Sequence, residues 1–175
     1  MNNILITGKP GVGKTTLIKK LIEELDLDAG GFYTQEMRIG GRRVGFKIIT
    51  LDGEESILAH VDIKSPYRVS KYGVNLEGLE KVGVESIWRA LEEKDVIVID
   101  EIGKMELFSP RFKEAVNSAL NSDKITIATI LLAPNPYTDK IKRRQDVKLF
   151  YLTQENREKV KEEIKDILLE TKRER

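Results

Sequence analysis

The sequence predicts an α/β fold in which helices flank a mostly parallel β-sheet on both faces. Short apolar runs rich in β-branched residues alternate with amphipathic stretches of helical spacing, a pattern typical of buried parallel strands joined by helices. The first apolar run ends in a glycine-rich loop that leads directly into a helix. We expect one domain over residues 1–175, with an antiparallel β-meander inserted after the first helix.

The opening elements are a strand, a glycine loop and a helix. Asn3–Thr7 is apolar and predicts a buried strand, and Thr15–Leu25 carries leucine and isoleucine along one helical face. The next three segments are separated by a Gly-Gly pair and an Asp-Gly pair, which suit two-residue hairpin turns. They predict the antiparallel meander and comprise Phe32–Ile39, Arg42–Leu51 and Glu54–Val61.

The second half of the chain alternates helices and strands. Asp95–Asp100 contains four consecutive β-branched residues, which favours a strand buried on both faces. Ser109 is an expected N-cap with proline at the first helical position, and Thr153 is expected to cap the last helix. The remaining expected elements are a helix over about Asn75–Glu93, a helix over Ser109–Leu120, strands over Lys124–Leu132 and Val147–Leu152, and a final helix to about Thr171.

Composition narrows the class of protein. Thirty basic residues nearly balance 29 acidic ones, without the basic excess of a nucleic-acid binder, so we expect no nucleic-acid partner. The absence of cysteine excludes disulfides and thiolate zinc sites. No apolar run approaches the roughly 20 residues of a membrane span, and no signal peptide is readable. We therefore expect a monomer in the cytoplasm, without a membrane partner.

The glycine loop carries the first chemical signal. Residues 8–15, GKPGVGKT, fit the P-loop pattern G-x-x-x-x-G-K-[ST], and they lie between a predicted strand and a predicted helix. Glycines let successive backbone N–H groups point at phosphate oxygens, and the helix adds its positive N-terminal end. Lys14 would reach the β- and γ-phosphates, and the Thr15 hydroxyl would bind Mg²⁺. The predicted nucleotide-binding residues of this loop are Gly8, Lys9, Pro10, Gly11, Val12, Gly13, Lys14, Thr15 and Thr16.

A second element, Val96–Glu101, is an apolar strand that ends in two carboxylates. We expect this strand to lie beside the P-loop strand, so that Asp100 arrives at the Mg²⁺ as a Walker B residue. Glu101 would activate the attacking water. The predicted catalytic residues are Lys14, Asp100 and Glu101, and the predicted metal ligands are Thr15 and Asp100. The predicted nucleotide-binding set continues with Asp100, Glu101, Ile102, Gly103 and Lys104.

The roles of three single residues are open. Thr129, near the end of a predicted strand, is either a β-branched core residue or a hydrogen-bond donor to the γ-phosphate or the attacking water. Arg38, at the end of the first meander strand, is either a phosphate contact or an ordinary surface residue. Lys104 could face the nucleotide from just beyond the Walker B strand.

Two segments near the C-terminus also have two alternative roles each. A basic cluster is either a lid whose arginines neutralise the transferring phosphoryl group or a solvated helix, and it comprises Lys140, Lys142, Arg143 and Arg144. Asn156 and Arg157, which follow the last strand, are either contacts of the base or ordinary residues at a helix start.

The sequence resembles the cancer-related nucleoside-triphosphatase family, which includes thermophile members called THEP. The resemblance implies hydrolysis of ATP, GTP, CTP and UTP with Mg²⁺, broad base tolerance and slow turnover. It is weakest from Pro134 to Arg144. The segments that carry it are Gly8–Thr16, Gly31–Arg38, Val44–Ile48, Lys71–Val74, Val96–Leu107, Ala128–Ile130 and Asn156–Arg157.

Two other functions remain open at this point. A P-loop kinase would phosphorylate a small molecule or a nucleoside, with the meander near its acceptor site and the basic cluster as its lid. A nucleotide-dependent regulatory protein would use hydrolysis only as a timer. Glu101 favours hydrolysis over the kinase, because its position suits activation of water.

Overall fold

One β-sheet organises the fold. The structure is a computed structural model that describes residues 2–174. Within them the strands are β1 (Asn3–Thr7), β2 (Ala29–Ile39), β3 (Arg42–Thr50), β4 (Glu55–His60), β5 (Arg68–Val69), β6 (Tyr72–Val74), β7 (Val96–Ile102), β8 (Ile125–Ile130) and β9 (Val147–Tyr151). Their order across the sheet is β5-β6-β4-β3-β2-β7-β8-β1-β9.

Helices cover both faces of this sheet. They are α1 (Lys14–Glu24), α2 (Leu76–Gly78), α3 (Glu85–Glu93), α4 (Pro110–Asn121), α5 (Pro136–Lys142) and α6 (Arg157–Glu174). Successive strand residues point to opposite faces, so Ile97 packs with the core under α3 and α4, and Val98 packs with the core under α1 and α6. None of the helices in residues 2–174 is long and apolar enough to cross a membrane.

The expectation that the strand ending in Asp100 lies beside the P-loop strand is wrong. β7 does not lie beside the P-loop strand β1, because β8 pairs with both of them and separates them. β2, β7, β8, β1 and β9 are all parallel, so their carboxyl ends meet at one edge of the sheet. The end of β7 therefore still reaches the P-loop, with β8 contributing residues in between.

The expected meander is present as β2, β3 and β4, and it is part of the main sheet. The first residues of β2, Ala29–Phe32, pair in parallel with β7, and later residues of the same strand pair with β3 in antiparallel fashion. Close approach demands glycine in this segment. A Cβ at Gly31 would lie 2.0 Å from the carbonyl oxygen of Val98. β5 and β6 then extend the antiparallel edge.

Three helix predictions can be compared with the structure. Ser109 is confirmed as the N-cap of α4, since its side chain accepts a hydrogen bond from the Phe112 N–H. The helix expected over Asn75–Glu93 is interrupted by a π-helical stretch at Leu79–Val84. The hydrogen bonds expected of a cap at Thr153 are present, since its hydroxyl accepts from the Asn156 N–H and its own N–H donates to the Asn156 side chain. A turn over residues 154–156 separates this cap from α6, which begins as regular helix at Arg157.

The single-domain prediction for residues 1–175 stays a prediction. Met1 and Arg175 lie outside the described residues.

Candidate active site

The P-loop joins β1 to α1 at the carboxyl edge of the sheet. Gly13 precedes α1 with a φ of 104°, a left-handed conformation that favours glycine. The Lys14 ammonium donates to the Gly8 carbonyl at 2.7 Å and to the Lys9 carbonyl at 3.2 Å. Partial burial lowers the pKa of Lys14, while the charges of Glu101 and Asp100 oppose this shift. The loop therefore holds a cation that faces two carboxylates.

Asp100 accepts three hydrogen bonds from threonine side chains of the site. Its carboxylate accepts from the Thr15 hydroxyl at 2.5 Å and from the Thr129 hydroxyl at 2.7 Å. The Thr34 hydroxyl donates to the Asp100 backbone carbonyl at 2.5 Å. The side chain is only 5% exposed, and burial raises its pKa against the opposing effect of the Thr15 and Thr129 donors. Residues of α1 and β8 thus hold this carboxylate at the end of β7, and a residue of β2 holds its backbone.

The oxygens of Thr15 and Asp100 suit a magnesium ion. A hydroxyl and a carboxylate oxygen lie 2.5 Å apart, and both are hard donors of the kind that Mg²⁺ prefers. Mg²⁺ is commonly held by one or two protein oxygens together with substrate phosphates. The donor set therefore fits the ion expected from the sequence.

The side chains of Glu101 and Asp100 line the same cavity. Simple strand alternation would direct adjacent side chains apart, but the β7–β8 register breaks between Ile99 and Ile102. The peptide bond between Asp100 and Glu101 is cis. A cavity of about 350 Å³ is lined by both carboxylates together with Lys14 and Thr15. Burial, and then the charge of Asp100, raises the pKa of Glu101, while Lys14 opposes the rise.

Three further residues of this cavity were missed by sequence reasoning. Thr34 comes from β2, Arg43 from β3, and Glu106 from the turn after β7. Glu106 is 3% exposed, and burial, reinforced by the charge of Glu101, holds its pKa well above the ordinary value. Its position between Met105 and Leu107 was an available signal, because an acid in an apolar context indicates burial.

The predicted nucleotide-binding residues divide among three places. Lys104 lines the catalytic cavity, whereas the Ile102 side chain is buried in the core and Gly103 lines no part of that cavity. Gly8, Lys9 and Val12 line a second cleft of about 430 Å³, and Pro10 and Gly11 line both spaces. Thr16 and Gly13 line a third groove beside α6.

The second cleft lies between the P-loop and the connection from β9 to α6. Its other wall is formed by Leu132 and residues 151–155, so it offers a place for the base and is called the base-side cleft. Asn156 does not line it, since its amide is engaged by the Thr153 N–H and the Tyr151 carbonyl. Arg157 lines the third groove. Neither Asn156 nor Arg157 therefore lines the base-side cleft, and a contact of either residue with the base stays a prediction.

The alternatives for Thr129 and Arg38 can also be decided. Thr129 is fully buried and its hydroxyl donates to Asp100, so it positions the Asp100 carboxylate. Arg38 is exposed and pairs with Glu36 at 2.9 Å, outside the cavity lining.

The basic cluster takes up the short helix α5 and the turn after it. Arg144 pairs with Asp146 at 2.8 Å and donates to the Leu120 carbonyl, which also accepts from Asn3. Asn3 begins β1, so Arg144 lies at the sheet edge opposite the P-loop. Lys140, Lys142 and Arg143 line neither the catalytic cavity nor the base-side cleft. This arrangement contradicts a lid role for Arg144.

A glycine loop between β1 and α1, with its lysine facing two carboxylates at the end of a parallel strand, defines a P-loop nucleotide-binding protein. The chain belongs to the NTPase family, which it matches over residues 3–165. This membership confirms the resemblance found in the sequence.

Several characterised relatives are similar along nearly the whole chain. The nucleoside-triphosphatase THEP1 of Thermotoga maritima is 59% identical over 165 residues, which cover 94% of each chain. The crystal structure of THEP1 from Aquifex aeolicus is similar with a TM-score of 0.84 and 41% identity, over 93% of this chain and 96% of that one. The solution structure of a human cancer-related nucleoside triphosphatase gives a TM-score of 0.79 and 38% identity, over 96% and 97%.

Proposed function

We propose that this protein is a Mg²⁺-dependent nucleoside triphosphatase that converts ATP, GTP, CTP and UTP to the diphosphate and phosphate. The observation that carries the proposal is the meeting of Lys14, Asp100 and Glu101 at one cavity on the carboxyl edge of the sheet. The names of the relatives, nucleoside-triphosphatases, support the same chemistry.

Each residue has a separate part in this reaction. Lys14 and the P-loop N–H groups bind the β- and γ-phosphates, so the γ-phosphorus is presented to the cavity. Glu101 accepts a proton from the water that attacks this phosphorus. The bond to the bridging oxygen breaks, and the diphosphate leaves with the electron pair.

Thr15 and Asp100 are the residues that would hold Mg²⁺. When bound, the ion would neutralise charge on the β- and γ-phosphate oxygens. Thr129 would keep the Asp100 carboxylate oriented toward it, through the 2.7 Å hydrogen bond. Such an outer partner restricts the motion of a ligand side chain.

Broad base tolerance is part of the proposal. The base-side cleft presents Tyr151, which is 58% exposed, together with Leu132 and the P-loop. Ring and aliphatic faces stack on every base, and backbone N–H groups recognise phosphates without recognising the base. We also expect a monomer in the cytoplasm, as the sequence predicts.

Phosphate release from the four nucleoside triphosphates, with and without Mg²⁺, tests the proposal. Lys14→Ala serves as the background control, because it removes the cation at the β- and γ-phosphates and should abolish hydrolysis. We expect Mg²⁺-dependent release from all four substrates. Release that persists undiminished in Lys14→Ala would contradict the assignment. Transfer of the γ-phosphate to an added nucleoside or small-molecule acceptor would favour the kinase.

A further inference from the structure

Arg43 brings a third cation to the catalytic cavity, from the opposite side to the P-loop. It lies on β3 of the meander and lines the same space as Lys14 and Glu101. Its Nε donates to the Tyr72 hydroxyl at 2.9 Å. The guanidinium lies 5.2 Å from the centre of the Phe46 ring and 5.7 Å from that of Tyr72. Two aromatic rings and one hydrogen bond therefore hold the Nε end of the guanidinium in place.

The outer end of Arg43 retains unused donors. A guanidinium has five N–H groups in a planar fork. Within residues 2–174, Nε donates to Tyr72 and Nη1 donates to Glu36 at 3.2 Å, while Nη2 donates to no protein acceptor. A planar fork with free donors matches the oxygens of a phosphoryl group.

Glu36 is arranged so that Arg43 can leave it at little cost. Its Oε1 pairs with Arg43, and its Oε2 pairs with Arg38 at 2.9 Å. If Nη1 of Arg43 turned to a ligand, Glu36 would keep Arg38 as a partner. The carboxylate would not become an unpaired charge beside an anionic substrate.

The charges of the cavity require a second cation at the γ-phosphate. Lys14 is the P-loop cation, and Lys104 and Arg43 are the other cations that line the cavity. Four acidic side chains line it as well, Glu36, Asp100, Glu101 and Glu106, and of these Glu106 is favoured in its protonated form. Negative charge on the equatorial oxygens must be stabilised as the phosphoryl group leaves. An arginine on the meander side would contact oxygens that Lys14 does not reach.

We propose that Arg43 is a catalytic residue that contacts the γ-phosphate oxygens in the transition state, as an arginine supplied by the chain itself. This inference rests on the proposed hydrolytic function. It replaces Arg38 and the basic cluster, Lys140–Arg144, as the source of the second cation. Arg43 therefore acts mainly on the chemical step, and ground-state binding of the nucleotide depends mainly on the P-loop.

The test compares Arg43→Ala and Arg43→Lys with Arg42→Ala. Arg42 is the exposed neighbour on the same strand and lines no part of the cavity, so it controls for loss of charge. For Arg43→Ala we expect kcat to fall on the order of 10²-fold or more, given that such arginines contribute about 10³- to 10⁵-fold. Arg43→Lys should recover only part of this loss, because an ammonium lacks the fork. Arg42→Ala should keep kcat within roughly twofold.

Two readouts separate contact with phosphate from a structural role. Arg43→Ala should bind ADP within about threefold of the unchanged protein but fail to trap ADP with aluminium fluoride, since the lost contact belongs to the transition state. Millimolar guanidinium should restore part of its kcat. A fall in kcat accompanied by an equal loss of ADP affinity, without rescue, would overturn the proposal. So would hydrolysis by Arg43→Ala at the unchanged rate. If the unchanged protein hydrolyses no nucleoside triphosphate, the proposed function itself fails.

Discussion

Thr129 donates its hydroxyl to Oδ1 of Asp100 at 2.7 Å, across the pairing of β8 with β7. Thr15 occupies the other carboxylate oxygen, Oδ2, from the start of α1. β8 separates the P-loop strand β1 from β7, the strand that carries Asp100. Thr129 of β8 and Thr15 of α1 bond the two oxygens of the same carboxylate. The orientation of the predicted metal ligand therefore depends on a residue from the strand between them.

Thr129→Val removes this hydroxyl and keeps the shape of the side chain. A hydrogen bond to a charged group contributes about 1.5–3 kcal/mol, so kcat/KM should fall roughly 10- to 100-fold. The concentration of Mg²⁺ needed for half-maximal rate should rise. Thr129→Ser, which retains the hydroxyl, is the matched control. Equal activity of the valine variant and the unchanged protein would show that the hydrogen bond does not position Asp100 for catalysis.

Glu106→Gln should change the pH dependence of stability. Burial holds the folded-state pKa of Glu106 well above its ordinary value, so its protonated form is favoured in the folded protein. The resulting stability is fully present below the pKa of the unfolded chain, and it is lost as pH rises through the folded-state pKa. Glutamine stays neutral throughout. The variant should therefore gain stability, relative to the unchanged protein, as pH rises above about 4.3.

Urea denaturation of both proteins at several pH values between 4 and 8 measures this difference. Glu163→Gln, which alters an exposed glutamate of α6, is the control and should show no such trend. A difference between Glu106→Gln and the unchanged protein that stays constant with pH would contradict the burial of an acid with a raised pKa.

Base selectivity should be low. The base-side cleft presents the Tyr151 ring and Leu132, whose faces do not distinguish purines from one another. We expect kcat/KM for ATP and GTP to agree within roughly tenfold, or about 1.4 kcal/mol. Tyr151→Ala should raise KM for all four nucleotides in similar proportion, while Tyr151→Phe should not. A thousandfold preference for one base would refute this account of the cleft.

Most elements of the fold could be predicted because their patterns are local. β1, β7, β8 and β9 are apolar runs, and Ser109 with Pro110 marks a helix start within two residues. The first residues of β2 were missed because Gly30 and Gly31 have low strand propensity. Glycine is needed at position 31 because of the close approach of Val98 on β7, and at position 30 because of the close approach of Ala90 on α3. β5 and β6, with two and three residues, are too short to show alternation.

The site was predictable to the extent that its residues are contiguous. Lys14 and Thr15 follow from the spacing of one loop, and Asp100 and Glu101 from the end of one strand. Thr34, Arg43 and the role of Thr129 depend on which strands pair and in which register. No local sequence pattern indicates which strands pair or in which register. The same reason explains why β8 between β1 and β7 was not expected.

We expect Glu101 to activate water while Asp100 serves the metal. Glu101→Gln keeps the shape and hydrogen-bonding capacity of the side chain but cannot accept a proton as a carboxylate does. It should bind Mg²⁺–ATP with nearly unchanged affinity, because the lost interaction matters mainly in the transition state. Asp100→Asn, the neighbouring control, should lose affinity and Mg²⁺ dependence.

Nucleotide titration combined with single-turnover phosphate release on Glu101→Gln is the most direct measurement. We expect near-normal binding and a chemical step slowed on the order of 10²-fold or more, the usual scale for loss of a general base. Hydrolysis of ATP at the unchanged rate by Glu101→Gln would contradict this expectation and would place the activation of water elsewhere in the site.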